Sequence, residues 1–194
     1  MSIKQTAREK NSNNNKQKIY DAALLLFDKY DFNTVTVDDI CNYTNLSKGT
    51  FYHYFKSKED LVIVAFIKAL DKYMKEHYKL DEACSFAEQF TDFVLCMFDF
   101  AKSVGKDFTR RSYIAQISTE IELRIQGRVM VDILYKLIER GKRENLFKFD
   151  YSDIEFYTTI IGTFTGIMIK WSTDNTNIFD WEKFVRNQAL AILI

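Results

Sequence analysis

No proline interrupts this chain of 194 residues, which holds only six glycines. Proline breaks helix interiors and glycine weakens them, so a chain nearly free of both can run long helices. The apolar residues follow the matching period. Ile19, Ala22, Ala23, Leu26, Phe27 and Tyr30 fall at i, i+3, i+4, i+7, i+8 and i+11, one stripe of an amphipathic helix. Phe86, Phe90, Phe93, Met97 and Phe100 repeat that period further along. No strand-like alternation bounded by turn signals occurs. The expected fold is all-α.

Helix starts and stops are written in other residues. Asp31, Phe32 and Asn33 break the first stripe. Thr36 to Asp39 reads as a capping box, with Val37, Ile40 and Cys41 as a short apolar face behind it. Thr44 and Asn45 turn the chain, and Asn tolerates the left-handed conformation such a turn needs. Ser47 opens a third helix, and Ser57 to Asp60 opens a fourth that runs to about Tyr78. Ile117 to Arg143 reads as one long helix weakly interrupted at Gly127, with Gly141 and Asn145 marking its end. Ser152 to Glu155 starts a helix to about Trp171, Asp174 to Asn177 forms a polar loop, and Asp180 caps a last helix through Leu193.

Function is concentrated in residues 46–61, LSKGTFYHYFKSKEDL. Phe51 and Phe55 lie four apart and share one helix face, so they can anchor a short helix. Lys48, Gly49, Thr50, Tyr52 and His53 then face elsewhere, and they carry donors or a bare backbone. Two short helices joined by a tight turn make a helix-turn-helix, and a DNA groove requires this kind of armed short helix. Lys+Arg and Asp+Glu both total 27, so the net charge is zero. That argues against whole-surface binding of nucleic acid and leaves room for a local basic patch. Lys4, Arg8, Lys10, Lys16 and Lys18 against Glu9 alone suggest that residues 1–15 form a mobile basic arm.

The run from Ile19 to Leu61 resembles the DNA-binding domain of TetR-family transcriptional regulators. The family pattern is a helix ending in a Phe and a Gly-aromatic pair, then T-x-x-x-I, then G-V-S-K-G-T-x-Y-x-Y-F-x-S-K-E-x-L. Here Ala22, Ala23, Phe27, Thr36, Ile40, Ser47, Lys48, Gly49, Thr50, Tyr52, Tyr54, Phe55, Ser57, Lys58, Glu59 and Leu61 match it. Asp31 and Asn45 stand where the family usually has Gly. The resemblance implies an N-terminal three-helix DNA-binding unit over 16–60 and a C-terminal helical bundle over 61–194, about nine helices in all. It also implies a homodimer, a small-molecule effector held in the bundle, and release of double-stranded operator DNA when that effector binds. Repression is the family's habit.

In a helix-turn-helix the second helix enters the major groove N-terminus first. Lys48, Gly49 and Thr50 are then nearest the bases, with Ser47 at the helix start. By resemblance Tyr52 and His53 contact phosphates and Lys58 clamps one, while Thr36 offers its hydroxyl and free N–H groups at the start of the preceding helix. Phe156, Ile160, Gly162, Gly166, Ile167 and Trp171 are the expected dimer interface, because two glycines four apart let helices approach. Seventeen Phe and eleven Tyr exceed what a small bundle needs. Phe90, Phe93, Met97 and Phe100 are therefore the expected wall of a pocket for an apolar or aromatic effector.

Other classes are weaker. The two histidines, His53 and His77, pair with no nucleophile motif, and there is no G-x-S-x-G, H-E-x-x-H or glycine-rich phosphate loop. No enzyme, metal or cofactor is expected. A thiol-based redox sensor through Cys84 and Cys96 is an alternative, although twelve residues of helix would hold those two apart. The cysteines are three and irregularly spaced, no signal peptide is visible, and the longest apolar run is too short to span a bilayer. The expected setting is the cytoplasm, without a membrane partner.

Overall fold

The computed structural model describes residues 7–30, 32, 34–119, 127–176 and 178–193, with the backbone alone at 7–13 and 28. Eight helices carry these residues: α1 (Ala7–Lys29), α2 (Val37–Thr44), α3 (Lys48–Tyr54), α4 (Lys58–His77), α5 (Phe86–Ser118), α6 (Val129–Arg143), α7 (Asp153–Thr173) and α8 (Trp181–Ala191). The β pairing among the described residues is an isolated bridge between Phe147 and Leu193. The fold is all-α. It divides into two compact units, one through Ala65 and one from Phe66, so the division falls inside α4 rather than at residue 60. Of the expected arm, residues 1–6 lie outside the described residues and 7–15 are the first turns of α1.

In the first unit α1 packs on α2 and α3, and α2 on α3. Ile19, Ala22, Ala23, Ile40, Phe51, Phe55 and Leu61 are buried together. Tyr30 leaves the expected stripe and is 51% exposed. The capping box at Thr36 is complete: its hydroxyl accepts from the Asp39 N–H and its own N–H donates to the Asp39 carboxylate. Asn45 ends α2 with φ 55° and ψ 37°, and the Leu46 N–H closes back on the Cys41 carbonyl at 3.1 Å. This left-handed cap makes the tight turn between α2 and α3.

In the second unit α5 packs on α6, α7 and α8. Its stripe is a true core: Phe86, Phe90, Phe93 and Phe100 are buried and Met97 is half-buried. At Gly105 the backbone leaves the helix with φ 83° and ψ 160°, a conformation L side chains avoid, so α5 is two helices, 86–104 and 106–118. Counted that way, the total matches the expected nine. The long helix expected over Ile117–Arg143 is not continuous. α5 ends at Ser118, and Thr119 and Arg128 are extended. Arg128 gives α6 no side-chain cap, and Asp71 from α4 does so instead, accepting from the Met130 N–H at 3.2 Å.

α6 stops where expected. Asn145 is left-handed at φ 52°, and the Leu146 N–H returns to the Gly141 carbonyl at 2.9 Å. The chain then tucks Phe147 under α6, with ring centroids 4.1 Å from Phe156 and 5.5 Å from Phe86. A Cβ on Gly141 would lie 2.4 Å from the Phe147 ring and 2.8 Å from that of Phe86. Gly141→Ala should therefore lose about 1–3 kcal/mol of stability by overpacking. Urea unfolding measures this, and adding Phe147→Leu should recover part of the loss. A Gly141→Ala protein as stable as the parent would show that Phe147 moves aside freely.

Candidate functional site

α3 has seven residues, and its exposure pattern follows from its two anchors. Phe51 is fully buried and Phe55 nearly so. Their centroids lie 6.0 Å apart, and the Tyr52 ring meets Phe51 edge-on at 5.3 Å. Ser47 caps the helix, its Oγ accepting from the Thr50 N–H at 3.1 Å and lying 2.9 Å from the Thr50 hydroxyl. Lys48, Gly49, Tyr52 and His53 are exposed, and Thr50 is half-buried. The structure brings these five expected residues together on one short helix with donors outward.

One acid stands beside this face. The Lys48 ammonium is paired with Asp38 at 2.8 Å, both exposed, and that carboxylate pushes the Lys48 pKa up. Asp38 was not legible as a partner, because nothing in the local motif marks a contact between helix starts. Thr36 is exposed, but its hydroxyl donates to Asp39 at 2.6 Å and its N–H donates there at 2.8 Å. These bonds hold the Asp39 carboxyl below the usual carboxylate range.

Lys58, expected to clamp a phosphate, has its ammonium engaged within the fold. Its ammonium donates to the carbonyls of Phe32 at 2.9 Å and Val35 at 3.1 Å, and sits 4.4 Å from the Phe32 ring centre. Lysine has three donors, and two of them tie the start of α4 to the segment between α1 and α2. Asp31, the other departure from the family pattern, lies outside the described residues.

The second unit contains a cavity of about 80 Å³. Met97 and Phe100 line it, as expected, but Phe90 and Phe93 do not. Phe90 instead stacks on Phe86 at 5.8 Å, and Phe93 meets Tyr78 edge-on at 5.6 Å. Tyr157, Ile161, Phe164 and Met168 of α7 supply another wall at i, i+4, i+7 and i+11. That spacing was readable but lay beside residues assigned to an interface. Arg128 and Tyr113 also line the cavity, and no sequence pattern marked them. Burial pushes the Tyr113 hydroxyl well above its ordinary range.

The six expected interface residues separate by face. Phe156, Ile160, Ile167 and Trp171 are buried in the chain's own core, because they point from α7 toward its neighbours within the unit. Gly162 and Gly166 are exposed, with nothing within 4 Å of an added methyl. Thr163, Ile169 and Lys170 share their exposed side of α7.

The three thiols are all shifted away from the thiolate form. Cys41 and Cys96 are buried, and Cys84 is exposed but donates to Asp81 at 3.5 Å. That hydrogen bond raises the Cys84 pKa, and burial raises those of Cys41 and Cys96, the latter to about 11. A reactive cysteine needs the opposite shift, toward thiolate. His77 stacks on Tyr73 at 4.0 Å, with Nδ1 3.0 Å from the Tyr73 carbonyl.

Comparison with known proteins follows the same division. Residues 19–65 match the family model of bacterial regulatory proteins, tetR family. An uncharacterized HTH-type transcriptional regulator of Bacillus subtilis (strain 168), YhgD, is 26% identical over 175 residues, covering 87% of this chain and 84% of that protein. Among solved structures, the transcriptional regulator FadR from Bacillus subtilis in complex with stearoyl-CoA superposes with a TM-score of 0.59 at 20% identity, covering 90% of this chain and 95% of that one. The reduced form of E. coli NemR gives 0.55 at 14% identity, covering 93% and 97%.

The two lysines of the motif should behave differently. Lys58→Met leaves two carbonyls without their donor and should lower stability by about 1–3 kcal/mol in urea. Lys48→Ala removes only an exposed pair and should leave the unfolding midpoint unchanged. If Lys58→Met unfolds like the parent but flattens the salt dependence of DNA binding by about one phosphate, the clamp acts on DNA and not on the fold.

Proposed function

We propose that this chain, whose residues 19–65 match the family model of bacterial regulatory proteins, tetR family, is a DNA-binding transcriptional regulator of that kind and a ligand-responsive repressor. In this reading it binds a near-palindromic operator as a homodimer and leaves it when a small apolar or aromatic effector enters the bundle. The observation that carries the reading is one chain holding both a donor-bearing short helix and an apolar cavity. FadR, with a similar fold, is a transcriptional regulator solved with stearoyl-CoA.

The α3 helix enters the major groove with Lys48, Gly49 and Thr50 foremost. Lys48 donates to guanine O6 and N7, Thr50 touches a thymine methyl or bonds a base edge, and Gly49 lets a base approach the backbone. Tyr52 and His53 reach phosphates, and Ser47 and Thr36 sit at the two helix starts nearest the backbone. Lys58 positions this surface from behind. A two-fold dimer sets two copies of α3 about 34–36 Å apart, one turn of DNA.

The exposed side of α7 supports the dimer: Gly162, Thr163, Gly166 and Ile169. Ile178 and Phe179 ahead of α8, and Leu190 within it, add exposed apolar surface. Phe156, Ile160, Ile167 and Trp171 brace that helix from inside. No described helix is long and apolar enough to cross a membrane, and we place the regulator with its DNA in the cytoplasm.

Two measurements test this. Fluorescence anisotropy with duplexes from upstream of its own coding region should show that Lys48→Ala changes the preferred sequence and not merely the affinity. Gly166→Glu adds a charge where there is space for it, so the chain should fold and sediment as a monomer with weakened DNA binding. A Gly166→Glu protein with unchanged dimer mass would remove α7 from the interface.

A further inference from the structure

The cavity of the second unit is apolar with a neutral polar corner. Because the chain turns at Gly105, α5 lines it on both sides of that turn: Met97 and Phe100 before, Tyr113 and Gln116 after. Tyr113 and Gln116 lie three apart and so share one helix face. Phe66 of α4 and Phe164 of α7 add apolar wall. Among the described lining residues the one charged side chain is Arg128, which is 7% exposed. Its charge is already committed. Nε reaches the Asp71 Oδ2 at 3.3 Å, Nη2 reaches Oδ1 at 3.5 Å, and Arg128 makes a further interaction besides these. The Tyr113 and Thr165 hydroxyls are bonded to each other, from α5 to α7. Gln116 is half-buried, and among the described residues its amide has no hydrogen-bond partner. That amide offers two donors and a carbonyl acceptor.

We propose that this cavity takes a small uncharged molecule with one hydroxyl or carbonyl oxygen, that oxygen on the Gln116 amide and the apolar body among Phe66, Phe100 and Phe164. The proposal rests on the ligand-binding reading above and names the chemical class of the ligand. An acid or an amine would bury its charge here with no counterion left for it, which is costly. A pure hydrocarbon would leave the amide unanswered once the cavity is filled. Size narrows the class further. A void of about 150 Å³ accepts benzene, and this cavity is about 80 Å³. Compact aliphatic alcohols and ketones therefore fit first. Larger rings require Met97, Met130 and Met168 to shift, which flexible thioethers allow.

Methionine methyl NMR on the full chain tests the proposal, because Met97, Met130 and Met168 line the cavity and Met74 does not. Isobutanol and butanone should shift those three methyls saturably and move Met74 less. Isobutyrate and isobutylammonium, similar in size but charged, should bind more than about tenfold more weakly. Gln116→Met keeps an unbranched side chain and removes the amide. It should weaken isobutanol by roughly threefold to tenfold and leave 2-methylbutane, the hydrocarbon of the same shape, unweakened. Thermal unfolding checks that this variant folds like the parent. No saturable shift at the three methyls, or a charged analogue within tenfold of isobutanol, overturns the assignment. So does a folded Gln116→Met protein that binds isobutanol as before, or that loses 2-methylbutane equally. Anisotropy on the same upstream duplex separates this from the release mechanism. Isobutanol saturation without loss of DNA affinity keeps the ligand class and removes effector release. Release by isobutyrate with no shift at the three methyls keeps effector release and removes this ligand class.

Discussion

Burial of Phe51 is the constraint on which the DNA-facing unit depends. A helix of seven residues has too few internal hydrogen bonds to offset its nucleation cost in water. α3 exists because Phe51 enters the core formed by Ile19, Ala23 and Ile40, with Phe55 one turn later. Full burial of such a side chain contributes roughly 1.5–3 kcal/mol, enough to hold two turns that cannot hold themselves. The anchor also sets orientation. With positions 51 and 55 inward, Lys48, Tyr52 and His53 are turned out, and the Ser47 cap fixes where the helix starts.

A chain without proline needs other ways to end its helices. Two ends use asparagine: Asn45 and Asn145 are both left-handed, and the next N–H in each case closes on a carbonyl five residues back. Starts are set by side chains. Thr36, Ser47, Ser85, Ser152 and Asp180 each accept from the backbone three residues on, and three of these are full capping boxes. The region before α5 is also held by a side-chain network centred on Gln89 and Arg140. Gln89 donates to the Asp81 carbonyl and accepts from Arg140, which also donates to the Cys84 carbonyl.

Local features of this kind were legible in the sequence. Caps, turns and the Phe51–Phe55 pair are short-range, so residue types at fixed offsets announce them. What was not legible depends on where elements meet. Lys58 matched a family pattern, but its carbonyl partners lie 23 and 26 residues away, and only folding brings them to its ammonium. Phe156, Ile160, Ile167 and Trp171 read as a broad apolar face, and periodicity cannot say whether such a face meets the same chain or another. Phe90 and Phe93 share a stripe with Met97 and Phe100, yet only the latter two reach the cavity. The helix break at Gly105 also escaped, because a lone glycine inside a helical pattern is usually tolerated.

The zero net charge of the chain gains meaning at α3. Asp38 and Asp39 lie in the first turn of α2, where negative charge is favoured by the helix dipole. One of them also holds Lys48, the residue nearest the proposed base contacts. In the proposed reading, DNA that approaches this face meets a lysine already neutralised by Asp38. A non-specific duplex offers Lys48 only another exposed ion pair in exchange, which yields little. A correctly placed guanine offers two acceptors in a desolvated groove, which yields more. In the proposed reading, Asp38 lowers affinity for every sequence and lowers it least for the right one. Specificity is a difference between affinities, and an electrically balanced reading face increases that difference without adding any attraction.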